Sequence, residues 1–209
     1  AFALAGGSLA LGTARADEVG VGIEASFSGP FSIWGREYKQ AIDLYLDQIH
    51  HQVGPHTIKM YYGDDGGMNP QRAKQVVQEM VVRDGVAVLG GSELTPNTLA
   101  LAGLITEAKV PFVIFNTGTG FVTDKSPYFV RVSFTLPQES APLGTWAAKH
   151  LPTIVSVIAD YVSGKDSNDA FIKTYTAGGG KLLETIKYPT TVADISPYYD
   201  RVRQDKPTA

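Results

Sequence analysis

The sequence predicts an α/β fold of two lobes, each built around a parallel sheet with helices on both faces. Three observations support this prediction. Short apolar runs alternate with amphipathic stretches along the chain after Asp17. Glycine-rich or polar loops follow most of the apolar runs, and the alternation starts again at about Ser133. Strands that alternate with helices form βαβ units, in which the strands are parallel and buried on both faces.

The first lobe begins with an apolar run at 19–25, which predicts a strand. Residues 37–50 are predicted to form a helix, because apolar side chains recur there at three- and four-residue spacing. A second strand is predicted at 57–62, where a glycine-rich segment ends it. Asn69 and Pro70 then open a helix, as an N-cap residue followed by proline at the first helical position.

Three strands and a helix complete the first lobe. A strand at 86–89 is followed by a glycine pair, and Thr95 with Pro96 repeats the signal of a cap followed by proline. This signal predicts a helix that ends at about Ala108. The last two strands of the lobe are predicted at 111–115 and 128–132.

The second lobe repeats the pattern with fewer elements. Helices are predicted at 137–150, 166–176 and 196–204, and strands at 154–159 and 182–188. Two or three strands are too few for a stable sheet, so the second lobe is expected to be incomplete in this chain.

Ligands of parallel α/β sheets bind beyond the carboxyl ends of the strands. The loops that follow strands therefore form the predicted binding region. These loops are 27–34, 63–68, 90–95, 116–120 and 160–165.

The first sixteen residues predict the end of a signal peptide. Residues 1–11 are apolar and rich in small side chains, and Ala14 and Ala16 form the small-residue pair that signal peptidase requires. The apolar run is too short to span a membrane as a helix. The mature chain is then expected to start at Asp17 and to be periplasmic. A buried N-terminal helix is the alternative interpretation.

The composition argues against several classes of function. A net charge of −3 gives no indication of binding to nucleic acid or to an anionic membrane, since either would favour a basic surface. The absence of cysteine excludes disulfides and thiolate metal sites. His50, His51 and His56 have no partners at ligand spacing, so neither a metal site nor a cofactor is predicted. Asp64 and Asp65 are interpreted as acceptors for loop amides, and no catalytic residues are predicted.

Several short motifs recur at the loops and helix starts: Phe27-Ser28-Gly29-Pro30, Trp34-Gly35, Asp64-Asp65, Gly90-Gly91, Lys109-Val110-Pro111-Phe112, Asp160-Tyr161, Gly164-Lys165-Asp166 and Ser196-Pro197-Tyr198. Together these motifs resemble those of type I periplasmic binding proteins. Their order and spacing are similar to those of the branched-chain amino-acid and amide-binding group of ABC transporter substrate-binding proteins. The resemblance implies two Rossmann-like lobes joined by a hinge, with lobe one at 17–133 and the start of lobe two at 134–209.

The resemblance implies a non-catalytic, extracytoplasmic solute-binding subunit of an ABC importer. Hinge closure would trap a small carboxylate, and a branched-chain or other apolar amino acid is the expected ligand. A membrane permease is the implied partner, and the protein is expected to be a monomer. Two alternatives stay open: a binding protein for an aromatic carboxylic acid, and an amide-sensing regulatory receptor of the same fold.

Thr95 is the ligand-binding residue that the physical chemistry favours most directly. As the expected N-cap of a helix, it combines a hydroxyl with unpaired N–H groups and a helix dipole that favour an anion. The glycine pair before it lets backbone approach a ligand closely. A cap without a ligand role is the alternative. The resemblance implies that this position binds the ligand's α-carboxylate.

Five further residues complete the predicted ligand site. Thr117 and Thr119 lie in a glycine-rich loop after a strand, and the matching family loop binds the ligand's ammonium and carboxylate groups. Trp34 is expected to form an aromatic wall, and Tyr161 to close on the ligand from the second lobe. Both aromatic residues could instead belong to the core. Ser92, in the loop that follows the glycine pair, is included in the site.

Glu93 departs from the family pattern, which has small or apolar residues at this place. A carboxylate here would repel a ligand carboxylate unless it points away or meets a cation. The departure keeps an aromatic acid stacked on Trp34 open as a ligand.

Overall fold

The computed structural model of the protein describes residues 17–209, so the predicted signal segment at 1–16 lies outside the described residues. Within 17–209, no helix is both long enough and apolar enough to cross a membrane. The chain forms two separate sheets, which are called here the first sheet and the second sheet. The α/β class predicted from the sequence is therefore confirmed.

The first sheet has six strands in the order β2-β3-β1-β4-β5-β6. All neighbouring strands are parallel except β2 and β3, which form a short antiparallel pair. The strands are β1 (Glu18–Ala25), β2 (Gln52–Val53), β3 (His56–Asp64), β4 (Val88–Gly91), β5 (Phe112–Ile114) and β6 (Phe129–Arg131).

Three helices accompany the first sheet: α1 (Ser32–Gln48), α2 (Pro70–Val82) and α3 (Thr95–Ala108). Asn69 caps α2, because its side chain accepts a hydrogen bond from the N–H of Arg72 at 3.1 Å. The core combines the apolar faces of α2 and α3 with the strands. Its buried members are Ala73, Val76, Val77, Met80, Val86, Leu89, Leu101, Ile105, Phe112, Ile114, Val122 and Phe129.

The second sheet consists of two parallel strands, β7 (Thr153–Ala159) and β8 (Lys181–Tyr188). It is accompanied by α4 (Leu136–His150), α5 (Val162–Ala177) and α6 (Ser196–Asp205). Thr135 begins α4 with a capping box, in which its hydroxyl and the side chain of Gln138 bond each other's backbone N–H. Tyr175 of α5 is fully buried, and its hydroxyl donates to the carbonyl of Leu151 at 2.7 Å.

The structure confirms each predicted helix and strand, but two helices begin earlier than predicted. Helix α1 begins at Ser32, where a glycine and polar residues weaken the apolar period. Gly35 nevertheless fits because its backbone packs on Ser26, where an added Cβ would lie 2.4 Å from the carbonyl oxygen. Helix α5 begins at Val162, four residues before the predicted start. The predicted lobe boundary near Ser133 stays a prediction.

Candidate functional site

The candidate site lies where β3, β1, β4 and β5 end at the same edge of the first sheet. Gly91 shapes this edge, because the chain turns there with a φ of +115°. A Cβ on Gly91 would lie 2.0 Å from the carbonyl oxygen of Glu24, so only glycine fits. The tight turn brings the residues after β4 directly over the sheet edge.

Three buried hydroxyls meet at this edge and form the outer hydroxyl cluster: Thr95, Thr119 and Ser163. The Oγ1 atom of Thr95 lies 2.7 Å from Oγ1 of Thr119 and 2.7 Å from Oγ of Ser163. The hydroxyls of Thr119 and Ser163 are 3.2 Å apart. Thr95 and Ser163 lie in the first turns of α3 and α5, so two helix N-termini converge here. Such an arrangement favours an anion.

Thr95 is not the N-cap of its helix, which corrects the interpretation made from the sequence. The N-cap position is Leu94, which makes no side-chain capping bond, and Thr95 is the first helical residue. The cap-plus-proline rule misplaces the start by one residue because proline occupies the second helical position instead of the first. The Thr95 hydroxyl is therefore available for contacts beyond its own helix.

Two more hydrogen bonds fix the 117–120 loop, one to Asp166 of α5 and one to Arg131 of β6. The N–H of Gly120 donates to Oδ2 of Asp166 at 2.7 Å. Arg131 donates from Nη2 to the carbonyl of Thr119 at 2.6 Å. Burial lowers the pKa of Arg131, and the charge of Asp166 opposes that shift. These contacts hold the 117–120 loop between the two sheets.

A second group of hydroxyls, the inner hydroxyl cluster, consists of Ser92, Thr98 and Thr117. Thr98 lies between the other two, with its Oγ1 atom 2.6 Å from Oγ of Ser92 and 2.6 Å from Oγ1 of Thr117. Thr117 also lies 3.1 Å from the carbonyl oxygen of Ser92. All three side chains are fully buried. Their hydroxyls are bonded within the first-sheet region, which ties the loops after β4 and β5 together.

The cleft pocket is a cavity of about 270 Å³. Ser163 of the outer hydroxyl cluster lines it, whereas Thr95 and Thr119 lie behind Ser163 and do not. Trp34 and Tyr161 both line the pocket, and their role as walls of a ligand site stays a prediction. Tyr161 also serves as the N-cap residue of α5 and is half-buried. The pocket is lined by Phe31, Trp34, Glu93, Leu94, Asn116, Gly118, Phe134, Leu136, Glu139, Tyr161 and Ser163.

Three buried carboxyl groups form the acidic cluster: Glu24, Asp65 and Glu93. Glu93 lines the cleft pocket, and Glu24 and Asp65 do not. Asp65 is fully bonded, since it accepts from the hydroxyl of Ser26, the N–H of Gly67 and the amide of Asn97. Glu24 has no partner at either oxygen among the described residues. Burial raises the pKa of Glu24 well above its ordinary value, and Asp65 and Glu93 raise it further.

Asp64 has the structural role that the sequence suggested. One of its oxygens, Oδ1, accepts hydrogen bonds from the N–H groups of Phe27, Ser28 and Gly66 at 2.8, 3.1 and 2.9 Å. Burial raises the pKa of Asp64, but the hydrogen bonds from Ser28, Gly66 and Phe27 outweigh burial and lower it. Within residues 17–209, no cluster of three acidic or histidine side chains is placed to hold a metal ion.

Ser163 and Asp166 are two polar residues of this site that sequence reasoning missed. The sequence predicts a loop at Ser163 and the start of a helix at Asp166, whereas α5 begins at Val162. The signal was Tyr161-Val162-Ser163-Gly164 directly after a strand, where small polar residues suit the first turn of a helix. Phe31 and Phe134 were also missed, since aromatic residues in loops carry no periodicity.

A family model described as periplasmic binding protein matches residues 18–209. The chain belongs to the periplasmic binding protein family. Among its relatives is the Leu/Ile/Val-binding protein homolog 6 of Brucella abortus, which is 38% identical over 202 residues. That match covers 96% of this chain and 52% of the relative. The resemblance found in the loop motifs is thereby confirmed.

Solved members of the periplasmic binding protein family have the same fold. A solute-binding protein of an ABC transporter from Rhodopseudomonas palustris BisB5, in complex with 3,4-dihydroxybenzoic acid, is 37% identical with a TM-score of 0.87. The match covers 91% of this chain and 53% of that protein. A second one, from Rhodopseudomonas palustris HaA2 in complex with p-hydroxybenzoic acid, is 36% identical with a TM-score of 0.88, and the match covers 91% of this chain and 52% of that protein.

The chain spans about half the length of the relatives it matches. It accordingly contains one part of the two-lobed fold, as predicted from the small number of strands in the second sheet. The two solved relatives named above are solute-binding proteins of ABC transporters and not enzymes.

Proposed function

We propose that this protein is the extracytoplasmic solute-binding subunit of an ABC importer and that it captures a small aromatic carboxylate. The outer hydroxyl cluster carries the proposal. It places three hydroxyls and the N-termini of α3 and α5 around one point, which suits a carboxylate. The groups come from both sides of the cleft, so a bound carboxylate would stabilise the closed arrangement.

The walls of the cleft pocket support an aromatic ring next to that carboxylate. Four aromatic side chains line the pocket: Phe31, Trp34, Phe134 and Tyr161. Aromatic side chains provide large apolar contact area and favourable stacking geometry for a ring. The relatives of 36–37% identity that were solved with hydroxylated benzoic acids point in the same direction.

An apolar amino acid, the ligand first expected from the sequence, is the second candidate. The name of the Brucella relatives, at 38% identity, favours it. Glu93 provides a carboxylate in the pocket that could meet an ammonium group. A membrane permease as partner, a periplasmic location and a monomeric state complete the proposal for either ligand class.

Isothermal titration calorimetry with benzoate, benzamide and L-leucine tests the proposal. Benzamide has nearly the shape of benzoate but no charge. We expect benzoate to bind at least about tenfold more tightly than benzamide, because hydrogen bonds to a charged group are roughly twice as strong as neutral ones. The released ligand should be chemically unchanged. Equal binding of benzoate and benzamide, or no binding of either carboxylate, contradicts the proposal, and preference for L-leucine selects the second candidate.

A further inference from the structure

Glu93 occupies an unusual position for a charged side chain. It follows β4 and the turn at Gly91, lies in the lining of the cleft pocket, and is only 9% exposed. Its Oε1 atom accepts a hydrogen bond from the N–H of Ser26 at 3.1 Å. Its other oxygen, Oε2, is buried and has no partner among the described residues. One half of the carboxylate is therefore anchored, and the other half is a buried acceptor without a donor among the described residues.

No cation of the described chain compensates the charge of Glu93. None of the ion pairs within residues 17–209 involves Glu93, Glu24 or Asp65. Burial raises the pKa of Glu93, the hydrogen bond from Ser26 opposes this, and the charge of Asp65 raises it further. A buried carboxylate oxygen without a partner is costly, so a group that donates a hydrogen bond to it would be strongly favoured.

The same charge restricts where the ligand's own carboxylate can lie. A second carboxylate next to Glu93 would be repelled in this poorly solvated place, whereas the outer hydroxyl cluster attracts one. The pocket thus sets two separate requirements for a ligand. It needs an acceptor group next to the outer hydroxyl cluster, which reaches the pocket at Ser163, and a donor group next to Glu93. A plain aromatic acid satisfies only the first of them.

We propose that Glu93 is a specificity-determining residue that accepts a hydrogen bond from a ring hydroxyl, so that the pocket selects hydroxylated aromatic carboxylates over plain ones. This inference rests on the proposed function, since it requires a carboxylate ligand in the cleft pocket. The hydrogen bond from Ser26 fixes Oε1 of Glu93, which leaves Oε2 as the acceptor for the ring hydroxyl. A phenol that donates to a charged acceptor forms a short, strong hydrogen bond.

Calorimetric Kd values for matched ligand pairs test the inference. The pairs are 3- and 4-hydroxybenzoate with 3- and 4-fluorobenzoate, because fluorine is close to a hydroxyl in size but donates no hydrogen bond. In the unmodified protein, we expect at least one hydroxybenzoate to bind about tenfold or more tightly than its fluoro partner. In Glu93→Leu this ratio should fall to about 1–2, while the affinity for the fluorobenzoate stays within about threefold.

Two more variants make the result specific to Glu93. Glu93→Gln keeps the size of the side chain and a neutral acceptor. Its preference for hydroxybenzoate over fluorobenzoate should therefore lie between those of the unmodified protein and Glu93→Leu. Glu93→Gln also replaces Glu93→Leu in the test if Glu93→Leu does not fold. Glu107→Gln removes an exposed acid on α3 and should leave the ratio unchanged. A ratio that is unchanged in Glu93→Leu and Glu93→Gln overturns the inference.

The outcomes separate this inference from the proposed function. Binding of fluorobenzoates and hydroxybenzoates with equal affinity in the unmodified protein overturns the role of Glu93 but leaves the carboxylate site intact. Absence of binding by every benzoate overturns both. L-leucine and 4-methylpentanoate differ only in the ammonium group. If L-leucine binds more tightly only when Glu93 is present, and ring hydroxyls do not increase affinity, the donor to Glu93 is an ammonium group. The proposed ligand class is then wrong.

Discussion

The outer and inner hydroxyl clusters both consist of buried serine and threonine side chains, and α3 contributes one residue to each, Thr95 and Thr98. They differ in where their hydrogen-bond partners come from. Ser92, Thr98 and Thr117 bond one another within the first-sheet region. Thr95 and Thr119 reach Ser163, which follows a strand of the second sheet. We infer from this comparison that a buried threonine at a strand end belongs to the ligand site when its partner lies across the cleft, and is structural when its partners lie on its own side. The following substitutions test that distinction.

The largest effect is expected from Thr98→Val in the inner cluster. The side chain keeps its shape, but the hydroxyls of Ser92 and Thr117 lose their shared partner. We expect the free energy of unfolding to fall by about 3 kcal/mol, because buried polar groups are left unpaired. Urea unfolding, monitored by circular dichroism, measures this free energy of unfolding. Thr145→Val, on an exposed face of α4, is the control and should change stability by less than about 0.5 kcal/mol.

Thr95→Ala in the outer cluster should affect ligand binding more than it affects the stability of the fold. We expect carboxylate binding to weaken by about 1–3 kcal/mol through the lost hydrogen bonds. The loss of stability without ligand should be smaller than for Thr98→Val, since Thr119 and Ser163 remain within 3.2 Å of each other. Calorimetry with the tightest-binding ligand measures the first quantity. Unchanged affinity would remove Thr95 from the site.

Ser163→Ala tests the contribution from the second-sheet side alone. The pair of Thr95 and Thr119 persists at 2.7 Å, so only one donor of the cluster is lost. We therefore expect ligand affinity to fall by about 1 kcal/mol. A Kd identical to that of the unmodified protein would mean that the cross-cleft contact is a packing contact without a role in binding.

The smallest effect is expected from Asp64→Asn, because the Asp64 side chain binds loop amides and does not line the cleft pocket. Asparagine keeps one acceptor oxygen for the three loop amides, so the stability loss at neutral pH should be below about 1 kcal/mol. Because the folded protein lowers the pKa of Asp64, its stabilising contribution is present above its ordinary pKa of 3.8 and disappears as the pH falls through the lowered value. The difference between Asp64→Asn and the unmodified protein should thus vanish in acid. Ligand affinity at neutral pH should be unaffected.

The sequence was sufficient to predict the class of fold and much of the cleft. Periodicity located the helices and strands, and the rule that ligands bind at the carboxyl ends of parallel strands brought Thr95, Thr119, Trp34 and Tyr161 to one region. These predictions succeed because backbone topology fixes which loops are neighbours. They hold without any knowledge of side-chain orientation.

The remainder could not be read from the sequence because it depends on tertiary contacts. Ser92 and Thr117 have the same residue types and loop positions as Thr95 and Thr119, and only the direction of each side chain separates the clusters. Ser163 was missed because serine and glycine weaken the start of α5, where tertiary contacts outweigh helix propensity. Glu93 is buried after two consecutive residues with positive φ, Gly91 and Ser92, and the glycine pair in the sequence does not indicate that Ser92 adopts this conformation.

The early start of α5 has a consequence for how the cleft opens. Ser163 and Asp166 are three residues apart on α5, so they lie on one side of a rigid cylinder. Their bonds to Thr95 and to the N–H of Gly120 must then form and break together. If the cleft opens as proposed, we expect the two sides to separate in one cooperative step. A single fluorophore on the exposed side of α5 would report that step as one transition.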